Sequence, residues 1–211
     1  MIHDLHKAVA SNPFKGIGSL VLRRLLGSPD RQWTAIELAN DLGLSSPWCN
    51  KVLNALESEE LVERKGRGPV ASTRLVDPNE LMKQWKTVYR WSRNSFHAFV
   101  HKSEGAIYKL AEAAEREGWQ YAATGVSVTR LQSKTNVKGP ETVFVSPRDK
   151  GYTAYRKLLL ILQSKYGFHK VLNNPDILVV NPVLGRAVYY DSIKIGKLRC
   201  VSPLQLQLDS I

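Results

Sequence analysis

The sequence predicts a mixed α+β chain, with a domain of helices and one hairpin first and a small α/β domain after it. Three observations carry this. Between Gly16 and Glu60, three stretches of helical apolar spacing are separated by turn residues. From Leu61 to Asp77, two short strand-like runs flank a glycine-broken tip. From Ser95 onward, strand-like runs alternate with amphipathic ones. The 211 residues suit two modest domains. They divide as 1–77 and 95–211, with an amphipathic helix over 78–94 between them.

In the first helical stretch, GIGSLVLRRLLGS, the apolar positions are Ile17, Leu20, Val21 and Leu25, followed by a Gly-Ser-Pro-Asp stop. The second, TAIELANDLGL, opens on Thr34 with Glu37 three residues later, the pattern of a capping box. Ile36, Leu38 and Ala39 are expected inside, and Gly43 supplies the turn. The third, SSPWCNKVLNALESEE, has Ser45 or Ser46 as its cap and Pro47 in its first turn. Cys49, Val52, Leu53 and Leu56 form one inward stripe at i, i+3, i+4 and i+7. Strands LVERK and ASTRLVD then enclose GRGPV, with Arg67 at the tip.

That order resembles the winged helix-turn-helix class of bacterial regulators, over about residues 14–77. The resemblance implies a third helix in the major groove of duplex DNA and a wing on the backbone or minor groove. The outward polar face of that helix carries Ser46, Asn50, Lys51 and Asn54. Asn pairs bidentately with adenine, Lys reaches guanine or phosphate, and Ser reaches a base edge or phosphate. These four, with Arg67, are the expected DNA contacts.

The segment DPNELMKQWKTVYRWSRNS places Leu81, Trp85, Val88 and Tyr89 on one helical face. Lys83, Lys86, Arg90 and Arg93 fall on the opposite side as a basic stripe. It is either a solvated face or a surface for phosphates or an acidic partner.

The formal charge is +11 and the pI about 9.7, which points to an anionic partner. Residues 1–94 hold 14 Lys+Arg against 10 Asp+Glu, and residues 95–211 hold 16 against 9. The second half therefore carries the larger excess. No apolar run reaches bilayer-spanning length, and MIHDLHKAVA does not read as a secretory signal. Cys49 and Cys200 are too few for a disulfide framework. A cytoplasmic chain with two buried thiols and no membrane association is expected.

In the second domain, strands are expected at SFHAFVH, WQYAATG, ETVFVSP, DILVVNP and RAVYYDSI. Helices are expected at SEGAIYKLAEAAEREG, with Ser103 as cap and Gly118 as stop, and at VSVTRLQ and YTAYRKLLLILQSKYG. KLRCVSPLQLQLDSI runs strand into helix.

Two segments here, YAATGVSVTRL (Tyr121–Leu131) and LRCVSPLQLQLD (Leu198–Asp209), resemble the AbiEi family, the antitoxins of type IV toxin–antitoxin (abortive infection) systems. The family's order, a winged helix followed by an α/β domain, spans nearly the whole chain. The resemblance implies a DNA-binding autorepressor acting on the operator of its own operon. It also implies an antitoxin domain that neutralises a cognate nucleotidyltransferase toxin and resembles a degenerate nucleotidyltransferase fold. The resemblance also implies chains that continue well past the position of Asp209, so a sequence ending at Ile211 is expected to be incomplete at its C-terminus.

A working nucleotidyltransferase needs a Gly-Ser or Gly-Gly turn and then two carboxylates two residues apart to hold magnesium. After Gly125 no Asp-x-Asp or Asp-x-Glu follows, so no enzymatic activity, catalytic residue or cofactor is expected. His97 and His101 share a face but lack further ligands for zinc. KGRGP and VKGPET do not precede a helix as a phosphate-binding loop does. LLLIL at 158–162 is a core run. Candidate toxin contacts are Arg148, Lys150, Arg156 and Lys157, which cluster before and inside the helix at 153–165. The alternatives are a ligand-sensing winged-helix regulator and a nucleic-acid-processing nucleotidyltransferase.

Overall fold

The computed structural model describes residues 12–133, 137–148 and 152–210. The chain is mixed α+β and divides into two compact units, with the boundary between Arg90 and Trp91.

The first unit contains α1 (Gly18–Gly27), α2 (Ala35–Leu42), α3 (Ser46–Ser58), strands β1 (Val62–Lys65) and β2 (Ser72–Leu75), and α4 (Pro78–Val88). The capping box at α2 is formed. Thr34 Oγ1 accepts from the Glu37 amide at 3.1 Å, and the Glu37 carboxylate accepts from the Thr34 amide at 2.7 Å. Gly43 closes α2 in the left-handed region, at φ 63°. The α3 stripe of Cys49, Val52, Leu53 and Leu56 is buried throughout. β1 and β2 pair antiparallel from Val62↔Leu75 to Lys65↔Ser72, with a 3-10 turn at Gly68–Val70 between them. Trp33 extends the ladder through reciprocal backbone bonds with Thr73.

Two apolar assignments differ from expectation. Ile17 is 58% exposed and Ile36 is 41% exposed. The buried face of α1 is instead Ser19, Val21, Leu22, Arg23 and Leu25. Arg23 sits inside because its guanidinium lies over the Trp85 ring of α4, 5.1 Å from the centroid. A desolvated cation–π contact of this kind is worth about 2 kcal/mol, and hydrophobic spacing alone does not register it.

α4 is also shorter than its spacing predicts. It ends at Val88, where Tyr89 turns to extended geometry with its side chain buried. Leu81, Met82 and Trp85 form its inner face. Lys83 and Lys86 lie on this helix. Arg90 lies past its end, and Arg93 belongs to a 3-10 turn (Trp91–Arg93) of the second unit. The four cations are therefore not one helical stripe. Successive β-branched and aromatic residues, Val88, Tyr89 and Trp91, weaken the helix just there.

The second unit is a mixed seven-stranded sheet. Its strands are β3 (Ser95–His101), β4 (Gln120–Thr124), β5 (Glu141–Ser146), β6 (Phe168–Lys170), β7 (Ile177–Asn181), β8 (Ile193–Ile195) and β9 (Leu198–Cys200). The spatial order is β6-β3-β7-β5-β4-β9-β8. β5 runs parallel to β7 and β9 parallel to β4, while the other pairs are antiparallel. The helices are α5 (Ala106–Glu117), α6 (Gly125–Ser133), α7 (Tyr152–Tyr166) and α8 (Pro203–Asp209). Leu110, Ala114, Leu158 and Leu162 pack with Val143, Val145 and Val179 in one core cluster. Side chains alternate between faces, so Phe144 points to the opposite side, where Trp91 meets it at 5.6 Å.

Three expectations change here. The cap of α5 is Gly105 in the left-handed region, not Ser103, and the Glu141 carboxylate accepts from the Ile107 amide at 3.0 Å. A residue distant in sequence thus supplies the cap. The first half of RAVYYDSI lies in a 3-10 helix (Gly185–Tyr189) instead of a strand, and from it the Tyr189 hydroxyl donates to Ser146 Oγ at 2.9 Å. Only its end enters β8. The short edge strand β6 had no clear sequence signal. Gly118 does end α5, at φ 67°.

Candidate nucleic-acid interface

The buried stripe of α3 fixes what its other faces present. Opposite it lie Pro47, Lys51 and Asn54, all exposed. Ser46 and Asn50 are half-buried on the flank toward the hairpin. The α3 cap is Ser45, whose side chain makes no capping bond. Lys51 Nζ lies 6.0 Å from the centre of the half-buried Trp48 ring.

Sequence reasoning missed the residue that organises this surface. Arg64 on β1 donates from Nη2 to Asn50 Oδ1 at 2.8 Å and to the Gly68 carbonyl at 3.0 Å, and from Nη1 to Asn54 Oδ1. The Glu57 carboxylate lies 4.0 Å away. The Arg64 side chain is only 6% exposed. One guanidinium thus joins α3, β1 and the turn of the hairpin. Charged hydrogen bonds of this type contribute about 1.5–3 kcal/mol each. The alternation of VERK held the signal, since period 2 puts Arg64 on the same side as buried Val62.

This changes what the two asparagines offer. A bidentate adenine contact uses the amide oxygen as acceptor, and in both residues that oxygen is engaged by Arg64. Arg67 is exposed at the tip of the hairpin. On the outer side of the hairpin, Arg74 pairs with Glu63 at 2.8 Å and holds that carboxyl below its usual range.

Lys83 is exposed and pairs with Glu80 at 3.3 Å, and Lys86 and Arg90 are exposed. In the second unit, Arg148 is exposed beyond β5, and its carbonyl accepts from Arg186. Arg156 and Lys157 are exposed on α7. Lys150 lies outside the described residues.

The segments Tyr121–Leu131 and Leu198–Asp209 meet in space. Ala123 pairs with Cys200 between parallel strands. Ser202 caps α8 through the Gln205 amide at 3.2 Å, and Gln205 Nε2 donates to Asp209 at 2.7 Å. Asp209 also accepts from Thr124 Oγ1 at 2.6 Å.

The strand after α6 is β5, where Glu141 is followed two residues on by Val143 in the core. Burial pushes the Glu141 carboxyl above its usual range. It lines a cleft of about 430 Å³ with Arg130, His101, Glu104 and Asp176. The His97 ring faces Tyr155 at 6.0 Å, and the His101 Nε2 is 3.2 Å from the Tyr166 carbonyl. Among the described residues, no group of three or more His, Cys, Asp or Glu side chains is placed to hold a metal ion. Nor is any helix among them long and apolar enough to cross a membrane.

Comparison with protein-family models, curated proteins and solved structures finds no match to this chain.

Proposed function

We propose that the first unit is a winged helix-turn-helix that binds duplex DNA, with α3 in the major groove and the β1–β2 hairpin as its wing. The observation that carries this reading is the Arg64 network, which holds a basic hairpin against the polar face of the helix after a Gly43 turn. Lys51 and Arg67 provide exposed charge for phosphates on either side. Titration with DNA from upstream of the chain's own gene tests it. The expected result is binding at least about a thousandfold tighter than to random duplex. Equal affinity for both would reject sequence-specific repression.

We further propose that the chain is an autorepressor and antitoxin of a type IV toxin–antitoxin system, in the cytoplasm, with a cognate nucleotidyltransferase toxin as its second partner. The support is the resemblance of the two segments quoted above, their union through Thr124 and Asp209, and the basic excess of the second half. Arg148, Arg156 and Lys157 are the candidate toxin contacts. The test is growth rescue by the full chain in cells expressing the toxin. Arg156→Glu with Lys157→Glu is expected to abolish rescue and leave operator binding intact. Rescue by that variant at the wild-type level would remove α7 from the toxin surface.

The second unit is read as a degenerate nucleotidyltransferase fold without catalysis. Supporting this, β5 offers one carboxylate where magnesium needs two, and that carboxylate already caps α5.

A further inference from the structure

We propose that Arg64 sets the base preference of the α3 face by drawing the amide oxygens of Asn50 and Asn54 toward itself, so that both present their NH2 donors to the groove. The inference rests on the DNA-binding reading above.

An Asn side chain carries one amide oxygen with two lone pairs and, on the other side of the amide carbon, an NH2 group with two donors. Arg64 takes both oxygens, that of Asn50 at 2.8 Å and that of Asn54 through Nη1. Among the described residues neither Nδ2 has a protein partner, and Asn54 is exposed. The guanidinium carries no acceptor, so it can hold the amides in no other sense than oxygen inward.

In the major groove the bases differ in what they present. Guanine shows two adjacent acceptors, N7 and O6. Adenine shows an acceptor beside a donor, and cytosine shows a donor. An amide that presents its NH2 group is matched by the two acceptors of guanine, and by thymine only through O4. Facing adenine, it makes one bond at N7 and leaves the N6 amino group without an acceptor, because the oxygen is turned toward Arg64. Cytosine is opposed donor to donor. The oxygens are held from the protein side, so this preference is in place before DNA arrives. The Arg64 side chain, 6% exposed, touches no base in this arrangement. It is a positioning residue.

The experiment is selection of randomised duplex by the full chain, followed by sequencing, for wild type and two variants. Wild type is expected to enrich guanine at the positions facing Asn50 and Asn54. Asn50→Asp keeps an oxygen for Arg64 but deletes the donors. It is expected to lose the guanine preference at one position only, with about tenfold weaker binding to the wild-type site. Arg64→Lys keeps the charge but cannot span both oxygens, and it is expected to admit adenine at one or both positions. Thermal melting of each variant checks that the first unit remains folded. If the variants enrich the same bases as wild type, Arg64 is a structural staple and the inference is overturned, while DNA binding stands. An adenine preference in the wild type overturns it equally. If wild type binds duplex without enriching any sequence, this inference is overturned and DNA binding stands; if it binds no duplex at all, the DNA-binding reading fails and takes this inference with it.

Discussion

The Thr124 hydroxyl donates to the Asp209 carboxylate at 2.6 Å across 85 residues of sequence. Thr124 is fully buried, and Gln205 bonds the other carboxylate oxygen. Removing Thr124's hydroxyl leaves the half-buried carboxylate with one partner fewer, at a cost of about 1–3 kcal/mol. Thr124→Val and Asp209→Asn should each lower the melting temperature of the second unit. Their double-mutant cycle should show coupling above about 0.5 kcal/mol. Additive effects would mean that the bond contributes nothing of its own.

Arg67 and the cations of α4 should act on affinity without changing sequence choice. Arg67→Ala is expected to weaken specific and random duplex alike. Each cation taken off a phosphate should reduce the magnitude of the slope of log K against log salt by about 0.9. Lys83→Gln with Lys86→Gln tests the helix, and Arg90→Gln with Arg93→Gln tests the residues beyond it. An unchanged slope in either pair makes those charges solvated surface.

Acid should loosen the second unit through His97. Burial, with Lys170 nearby, holds the imidazole below its usual value of 6.5. The folded state therefore binds fewer protons than the unfolded chain. Stability from this group is complete above 6.5 and declines as pH falls toward the folded value. His97→Gln should flatten the fall of melting temperature below about pH 6.5. Glu141 has the opposite sign, because its raised carboxyl takes up a proton in the fold as pH drops. Glu141→Gln should steepen the same curve.

Both cysteines should resist thiol reagents until the chain unfolds. Cys49 and Cys200 are buried. Burial raises both thiols, Cys200 to about 11, so little thiolate forms near neutral pH. Titration with an aromatic disulfide reagent should report no fast-reacting thiol in native protein and two in denaturant. Rapid reaction of either thiol in the native chain would contradict its burial.

Much of this fold was legible in the sequence because it depends on local chemistry. The Thr34–Glu37 box, Gly43, Gly118 and the Cys49–Leu56 stripe announce themselves through spacing. Features that need a distant partner were not legible. Arg23 counts as a surface residue until Trp85 is brought beside it. Ser103 is a reasonable cap until Glu141 arrives from β5. Asn50 and Asn54 look unengaged until the hairpin folds back with Arg64. The spacing along α3 pointed to the polar surface, but the donor and acceptor pattern there was hidden.

The two borders of the second unit's sheet have a consequence for self-association. β6 and β8 are three residues each, and Lys170 and Lys194 project from them into solvent. Short, charged borders offer a poor template for an incoming strand. The aggregation-prone sequences, such as ETVFVS and ILVVN, belong to interior strands β5 and β7. Strand-to-strand aggregation through this sheet should therefore follow opening of the second unit instead of docking of native molecules edge to edge.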